Sequence, residues 1–343
     1  MDRRRFIRNS GVALGTFVSA EAAGTALKQE NASARGNDGS PKIGRLVRAV
    51  SIGFTPGPSL EQIAGHVDKE GARGTDLIVL PETLRGQDEK SQETLDGPTV
   101  SALAHLAEKH RTYIVVPIDR KDGVRRLNSS VVLDRRGRIV GVYDKLYPFW
   151  VDEFARRPPV QPGQEVTVIS TDFGRLGLAI CFDVNWAPLW QRLSDYGAEV
   201  VAWSSAYSAG RTLQARAIDF SYYIMSATWV PDCLVFDIDG TQLLYDKTNS
   251  GNFNVTQFTF DLDRCIFHQD LNLPDRLAKL LKEHGEDVVQ EKWLPMEGCF
   301  VLKAKRPGVS ARALARQYGL EERRPYLNRS RSKVDEARGW QFS

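Results

Sequence analysis

The chain has 343 residues, 42% of them hydrophobic and 26% charged, with a net charge of +3. That is enough apolar material for a substantial core, and too even a charge balance for the broad basic field that nucleic-acid binding requires, so no nucleic-acid partner is expected. Four cysteines in a chain this long do not make a disulfide framework, and neither they nor the five histidines fall at metal-ligand spacings, so no metal is expected.

The chain opens Met1-Asp2-Arg3-Arg4-Arg5-Phe6-Ile7-Arg8, followed by a mild apolar run from Gly11 to Ala20. A basic start, a short apolar stretch and small residues near Val18-Ser19-Ala20 are the parts of a secretory signal. Arg3-Arg4-Arg5-Phe6-Ile7 has the form of the twin-arginine export motif. The apolar run falls short of the about 20 residues a bilayer span needs, so no stable membrane span is expected. Residues 1–43 are expected to be a twin-arginine-type signal peptide and linker, directing export to the periplasm or beyond in a bacterium.

From Leu46 strand-like and helix-like segments alternate. Leu46–Ile52 has the content of a first strand, and Leu60–Gly71 carries apolar residues at Leu60, Ile63, Ala64 and Val67, the spacing of a helix that packs one face. Asp76–Leu80 is short and almost wholly apolar, as expected of a strand buried on both sides. A helix over Val100–His110 and a strand over Tyr113–Pro117 follow. Asn128–Asp134 and Ile139–Tyr143 flank Arg135-Arg136-Gly137, the pattern of a hairpin. Val166–Ser170 and Leu176–Ile180 flank another turn at Asp172-Phe173-Gly174. Helices are predicted at Pro188–Tyr196 and Leu213–Tyr222, and strands at Val200–Trp203, Ile224–Thr228 and Leu234–Asp237. Mixed αβ and ββ connections predict a layered α/β domain. No internal repeat is evident. Past Asp263 the pattern loosens; Pro274–Glu286 looks helical, Ala311–Arg324 is rich in Arg and Ala, and the final stretch is polar and basic. Residues 264–343 are expected to be an extension wrapping the domain or a neighbouring subunit, with catalysis confined to 44–263.

Three segments carry chemistry. Ile78-Val79-Leu80-Pro81-Glu82 ends a buried strand in a carboxylate, and an apolar approach raises a carboxylate's pKa toward the range of a useful base. Tyr143-Asp144-Lys145-Leu146-Tyr147-Pro148 places a lysine among aromatic residues, where a fixed positive charge can stabilise a developing oxyanion. Leu176–Ile180 leads into Cys181-Phe182-Asp183 and a helix near Pro188. That strand–turn–helix context is similar to a nucleophile elbow, and a cysteine near a lysine can hold thiolate at neutral pH.

Taken together, the Pro-Glu pair at 81–82, Tyr-x-Lys at 143–145, Cys-aromatic-acid at 181–183, Pro162-Gly163 and Arg216-Ala217 resemble the nitrilase superfamily of carbon–nitrogen hydrolases over roughly Arg45 to Asp263. The resemblance implies a four-layer αββα sandwich, no cofactor, a homodimer or larger homo-oligomer, and a Glu82-Lys145-Cys181 triad. Under it, Cys181 attacks the carbonyl carbon of an amide or carbamoyl group, Glu82 moves protons, and Lys145 with the backbone N–H of Phe182 stabilises the oxyanion. The second glutamate found in many members is best matched by Glu153, which adjoins Asp152; Glu165 falls after the Pro-Gly pair. Nitrile-hydrolysing members commonly carry Cys-Trp-Glu where this chain has Cys181-Phe182-Asp183, which favours an amide or N-carbamoyl substrate over a nitrile. A non-catalytic binding protein on the same fold is the further alternative. Tyr147, Phe149, Trp150, Trp186 and Tyr207 are candidates to line an aromatic substrate pocket. With Cys181 a free thiol, Cys233, Cys265 and Cys299 allow one disulfide at most.

Overall fold

The computed structural model describes residues 42–247, 252–268 and 273–339. All of the expected leader and linker before Lys42 lies outside the described residues.

Three short apolar strands begin the architecture: β1 (Leu46–Gly53), β2 (Leu77–Val79) and β3 (Tyr113–Asp122). They run parallel because the helices α1 (Leu60–Gly71) and α2 (Pro98–His110) carry the chain back along one face between them. α1 starts where Ser59 and Gln62 satisfy each other's backbone N–H groups in a capping box, and it buries Ile63 and Val67. The chain then turns antiparallel through β4 (Arg125–Leu133) and β5 (Ile139–Asp144). The predicted strand at 113–117 is thus longer, because its second half pairs with β4 as far as Asp122 opposite Arg125.

The second half repeats this plan: β6 (Val168–Ser170), β7 (Arg175–Ile180), α3 (Ala187–Asp195), β8 (Val200–Ser205), α4 (Gly210–Phe220), β9 (Tyr223–Thr228), β10 (Asp232–Phe236) and β11 (Gln242–Lys247). Here β7, β8 and β9 are the parallel trio and β10 and β11 the antiparallel continuation. β12 (Asn254–Asp261) returns to the first sheet and pairs antiparallel with β1 along its whole length. The two six-stranded sheets therefore read β12-β1-β2-β3-β4-β5 and β11-β10-β9-β8-β7-β6. Each has three parallel strands flanked by antiparallel ones, a topological repeat that no sequence repeat announced. The sheets stack face to face, with Val47, Leu77 and Val115 of one packed in a common core with Leu178, Trp203 and Met225 of the other. α1 and α2 cover one outer face, where Val67, Leu103 and Ala107 meet Ile78 and Ile114. α3 and α4 cover the other, giving the αββα sandwich.

Residues beyond Asp263 build a lobe of their own. β13 (Cys265–His268), β14 (Val288–Leu294) and β15 (Cys299–Ala304) form a three-stranded antiparallel sheet, packed by α5 (Leu273–His284) and α6 (Ala311–Gln317) around Phe267, Leu280, Phe300 and Leu302. The final helix, α7 (Arg323–Arg338), buries no residue. It is anchored by Arg324, whose guanidinium donates to the carbonyls of Phe220, Ser194, Ala198 and Ser221 at the ends of α3 and α4 and lies over the ring of Tyr222. No helix among the described residues is long and apolar enough to cross a membrane.

Candidate active site

Glu82, Lys145 and Cys181 leave the ends of β2, β5 and β7, two strands of one sheet and one of the other, so the sandwich brings them to a common edge. Such strand ends are where α/β sheets collect ligands. Backbone contacts hold each of these strand exits in place. The carbonyl of Glu82 accepts from Trp229 Nε1 at 2.5 Å, and Ser204 Oγ donates to the carbonyl of Leu80 at 2.7 Å, tying the β2 exit to the facing sheet. Lys145 is gripped on both sides: its N–H donates to the carbonyl of Asn128 at 2.8 Å and its carbonyl accepts from Gly163 at 2.9 Å. The glycine of Pro162-Gly163 is needed there, since a Cβ would stand 2.1 Å from the carbonyl oxygen of Asp144.

Cys181 begins a tight 3₁₀ turn (Cys181–Asn185) with a left-handed φ of 46°, the sharp reversal that presents a side chain at a strand end. Asp183 holds that turn. Its carboxylate accepts from Ile180 N–H at 2.9 Å, Tyr143 hydroxyl at 2.6 Å and Tyr147 N–H at 3.0 Å, so one side chain fastens the cysteine turn to the lysine segment. Arg216, on α4, donates to the carbonyl of Val184 at 3.0 Å and braces the far side of the turn. Burial pushes the Asp183 carboxyl up to about 7, against the Tyr143 hydroxyl, the Lys145 charge and the two N–H groups that favour its ionised form.

The side chains of Glu82, Lys145 and Glu153 converge. Lys145 Nζ lies 2.8 Å from Glu82 Oε1 and 2.8 Å from Glu153 Oε2. Asn128 Nδ2 lies 2.7 Å from Glu82 Oε1 and 2.9 Å from Glu153 Oε1, and Phe149 N–H donates to Glu153 Oε2. All four side chains are buried, none more than 2% exposed. One ammonium and one neutral amide thus share two carboxylates, which is how buried charge is tolerated at all. Burial by itself would lower the Lys145 ammonium, but the charges of Glu82 and Glu153 outweigh it and hold the lysine above its ordinary range.

The Cys181 thiol is pushed up well above the ordinary thiol range, first by burial and then by the charge of Glu82; Lys145 and hydrogen bonds from Ala206 and Ser205 oppose this and do not prevail. A nearby lysine can favour a thiolate, but here Lys145 does not outweigh burial and the charge of Glu82. The lysine is already taken by two carboxylates, so the cysteine rests protonated and requires a base.

A cavity of about 420 Å³ opens onto Glu82, Lys145, Glu153 and Cys181, with Phe182 and Tyr207 in its wall. Tyr147 and Trp186 stand behind the wall, stacked on each other with centroids 4.3 Å apart, and Trp186 also meets Phe182 edge-on. Sequence reasoning missed Asn128, Gln87, Asn185 and Trp229. Asn128 lies inside β4, and nothing local in the sequence marks a strand asparagine as facing two glutamates. Cys233, Cys265 and Cys299 are free and buried, as is Cys181. Among the described residues, no group of three or more His, Cys, Asp or Glu side chains is placed to hold a metal ion.

The chain is similar to known proteins. A family model described as carbon-nitrogen hydrolase matches residues 45–254. A deaminated glutathione amidase of Yersinia enterocolitica is 28% identical over 195 residues, 50% of this chain and 68% of that protein. A nitrilase homolog 2 of Dictyostelium discoideum is 27% identical over 157 residues, 42% of this chain and 48% of that protein. Among solved structures, an amidase from Nesterenkonia sp. superposes with a TM-score of 0.56 at 20% identity, covering 71% of this chain and 98% of that one. With the matched segment holding Glu82, Lys145, Cys181 and the strands that deliver them, the chain belongs to the carbon–nitrogen hydrolase family of the nitrilase superfamily.

Proposed function

We propose that the protein hydrolyses an amide or N-carbamoyl bond through a Cys181 thioester. The observation that carries this reading is the convergence of Glu82, Lys145, Glu153 and Cys181 on one cavity. A thiol held protonated by burial needs a base beside it, and Glu82 supplies one. In the proposed sequence Glu82 takes the thiol proton as sulfur adds to the carbonyl carbon. The oxyanion is met by Lys145 Nζ and the Phe182 N–H, donors of a kind typically worth about 3–4 kcal/mol each. Collapse expels the amine, which leaves with the proton from Glu82. Water then attacks the thioester, giving its proton to Glu82, and the sulfur departs to be reprotonated. Glu153 and Asn128 keep Lys145 and Glu82 aligned throughout.

The test is ammonia release across simple amides, N-carbamoyl amino acids and nitriles, with Cys181→Ala as control. The cysteine variant is expected to fold and to release no ammonia; an active variant overturns the scheme, and turnover confined to nitriles overturns the substrate class. Phe182 following Cys181 favours the amide reading. Two expectations from the sequence are proposed alongside it. Export is proposed from the twin-arginine-type start, in which Arg3 and Arg4 are the pair before Arg5-Phe6-Ile7, and is checked by the periplasmic fraction and its loss on Arg3→Lys with Arg4→Lys. A homo-oligomer is checked by mass in solution.

A further inference from the structure

We propose that the substrate of this cavity is an uncharged amide with an apolar, preferably aromatic, acyl group, rather than an ω-amido acid or an N-carbamoyl amino acid. The inference rests on the proposed hydrolase reading and narrows it. Two features of the cavity carry it.

The first is charge. Lys145 is the one cation among the described residues that line the cavity, and its Nζ is 2.8 Å from each of two carboxylates. Asp152 adds a third carboxylate to the wall. Arg156, which bonds two lining residues, is held by Asp152 Oδ2 at 2.6 Å and by the carbonyl of Gln87 at 2.6 Å. Arg126 is likewise spent on Asp119 and on the same Gln87 carbonyl. A substrate carboxylate would enter a wall where three carboxylates face one cation, and would lose its water there.

The second is shape. Phe149, Phe182, Tyr207 and Trp229 supply most of the remaining wall, and Phe149 meets Phe182 edge-on with centroids 5.1 Å apart. In the same segment as the lining residues Phe149, Asp152 and Glu153, the side chains of Trp150, Val151 and Phe154 are 65%, 53% and 44% exposed. Large apolar side chains left bare beside a cavity mark a surface that a ligand covers. A flat apolar acyl group would lie along these rings while its carboxamide reaches Cys181.

The experiment has two arms. In the first, kcat/KM is compared for 4-phenylbutanamide, glutaramate and N-carbamoylphenylalanine. The neutral amide is expected to exceed both acids by about 100-fold; equal or better turnover of either acid overturns the proposal. The second arm needs no turnover. Cys181 is alkylated by iodoacetamide and by iodoacetate, and the rate ratio is divided by that for 2-mercaptoethanol. The protein is expected to disfavour the anion well beyond the small thiol, and Asp152→Asn, which removes a wall carboxylate and frees Arg156, is expected to narrow the difference. A normalised ratio near one, or one that Asp152→Asn leaves untouched, overturns the proposal. No amide turnover together with exclusion of iodoacetate would instead defeat the hydrolase reading while the cavity's selectivity stands.

Discussion

The hydroxyl of Tyr143 donates to Oδ2 of Asp183 at 2.6 Å, joining the strand that delivers the lysine to the turn that delivers the cysteine. Because Tyr147 N–H and Ile180 N–H converge on the same carboxyl, Asp183 is the fastening between two sheets at the site. Asp183→Asn puts an amide nitrogen against one of these donors. It is expected to lower stability by about 1–3 kcal/mol, measured by urea denaturation, and to lower kcat more than it raises KM.

The same residue makes stability depend on pH. Its carboxyl stands at about 7 in the fold against 3.8 ordinarily, so between those values the unfolded chain ionises while the folded one keeps its proton. Stability should therefore fall as pH rises from about 4 to about 7 and level off above, by at most about 4 kcal/mol. Melting temperatures of the wild type and Asp183→Asn across that window isolate the contribution, because the variant lacks the slope.

Among the described residues, Lys145 is the cation paired with both Glu82 and Glu153. Lys145→Met is expected to destabilise by about 3–5 kcal/mol, because buried Glu82 and Glu153 are left without their partner. Activity should fall roughly a hundred- to a thousandfold or more from loss of the oxyanion donor. Denaturation and ammonia release read the two effects separately.

Asn128 donates to both glutamates, so its chemistry matters more than its shape. Asn128→Leu removes two donors and is expected to cost about 2–3 kcal/mol. Asn128→Asp keeps the outline but adds a third carboxylate to a cluster with one cation, and is expected to cost more. The reverse order in denaturation experiments would dismiss the shared-donor role.

α7 depends on Arg324 rather than on apolar burial. Arg324→Ala leaves four carbonyls at the ends of α3 and α4 without this donor and should cost about 2–4 kcal/mol. Amide exchange is expected to quicken across Arg323–Arg338 and to change little in β1 to β5.

Much of the first 240 residues is legible from side-chain pattern. α1 covers Leu60–Gly71, the range its apolar periodicity gives, and the structure starts it with a Ser59–Gln62 capping box. The buried strands β2, β7 and β8 announce themselves by unbroken apolar runs, because a strand covered on both faces has no polar side to show. Edge strands carry no such mark. β11 and β14 alternate between exposed and half-buried positions, and β12 is recognised only through its pairing with β1. The C-terminal lobe looked loose for the same reason: its sheet is small, and α7 contributes arginines rather than apolar residues.

At the site, the order of Glu82, Lys145 and Cys181 and their strand-end contexts are properties of the sequence, since each follows a recognisable local motif. The sequence also determined the fold class, because the succession of buried strands and amphipathic helices admits few layered solutions. Only the tertiary structure decided that Asn128 bridges the two glutamates, that Tyr147 and Trp186 stand behind the pocket wall, and that Cys181 rests as a thiol. Each of these depends on what lies across the sandwich from a residue. Burial and the sum of neighbouring charges are set by segments tens of residues apart, and no local pattern encodes them.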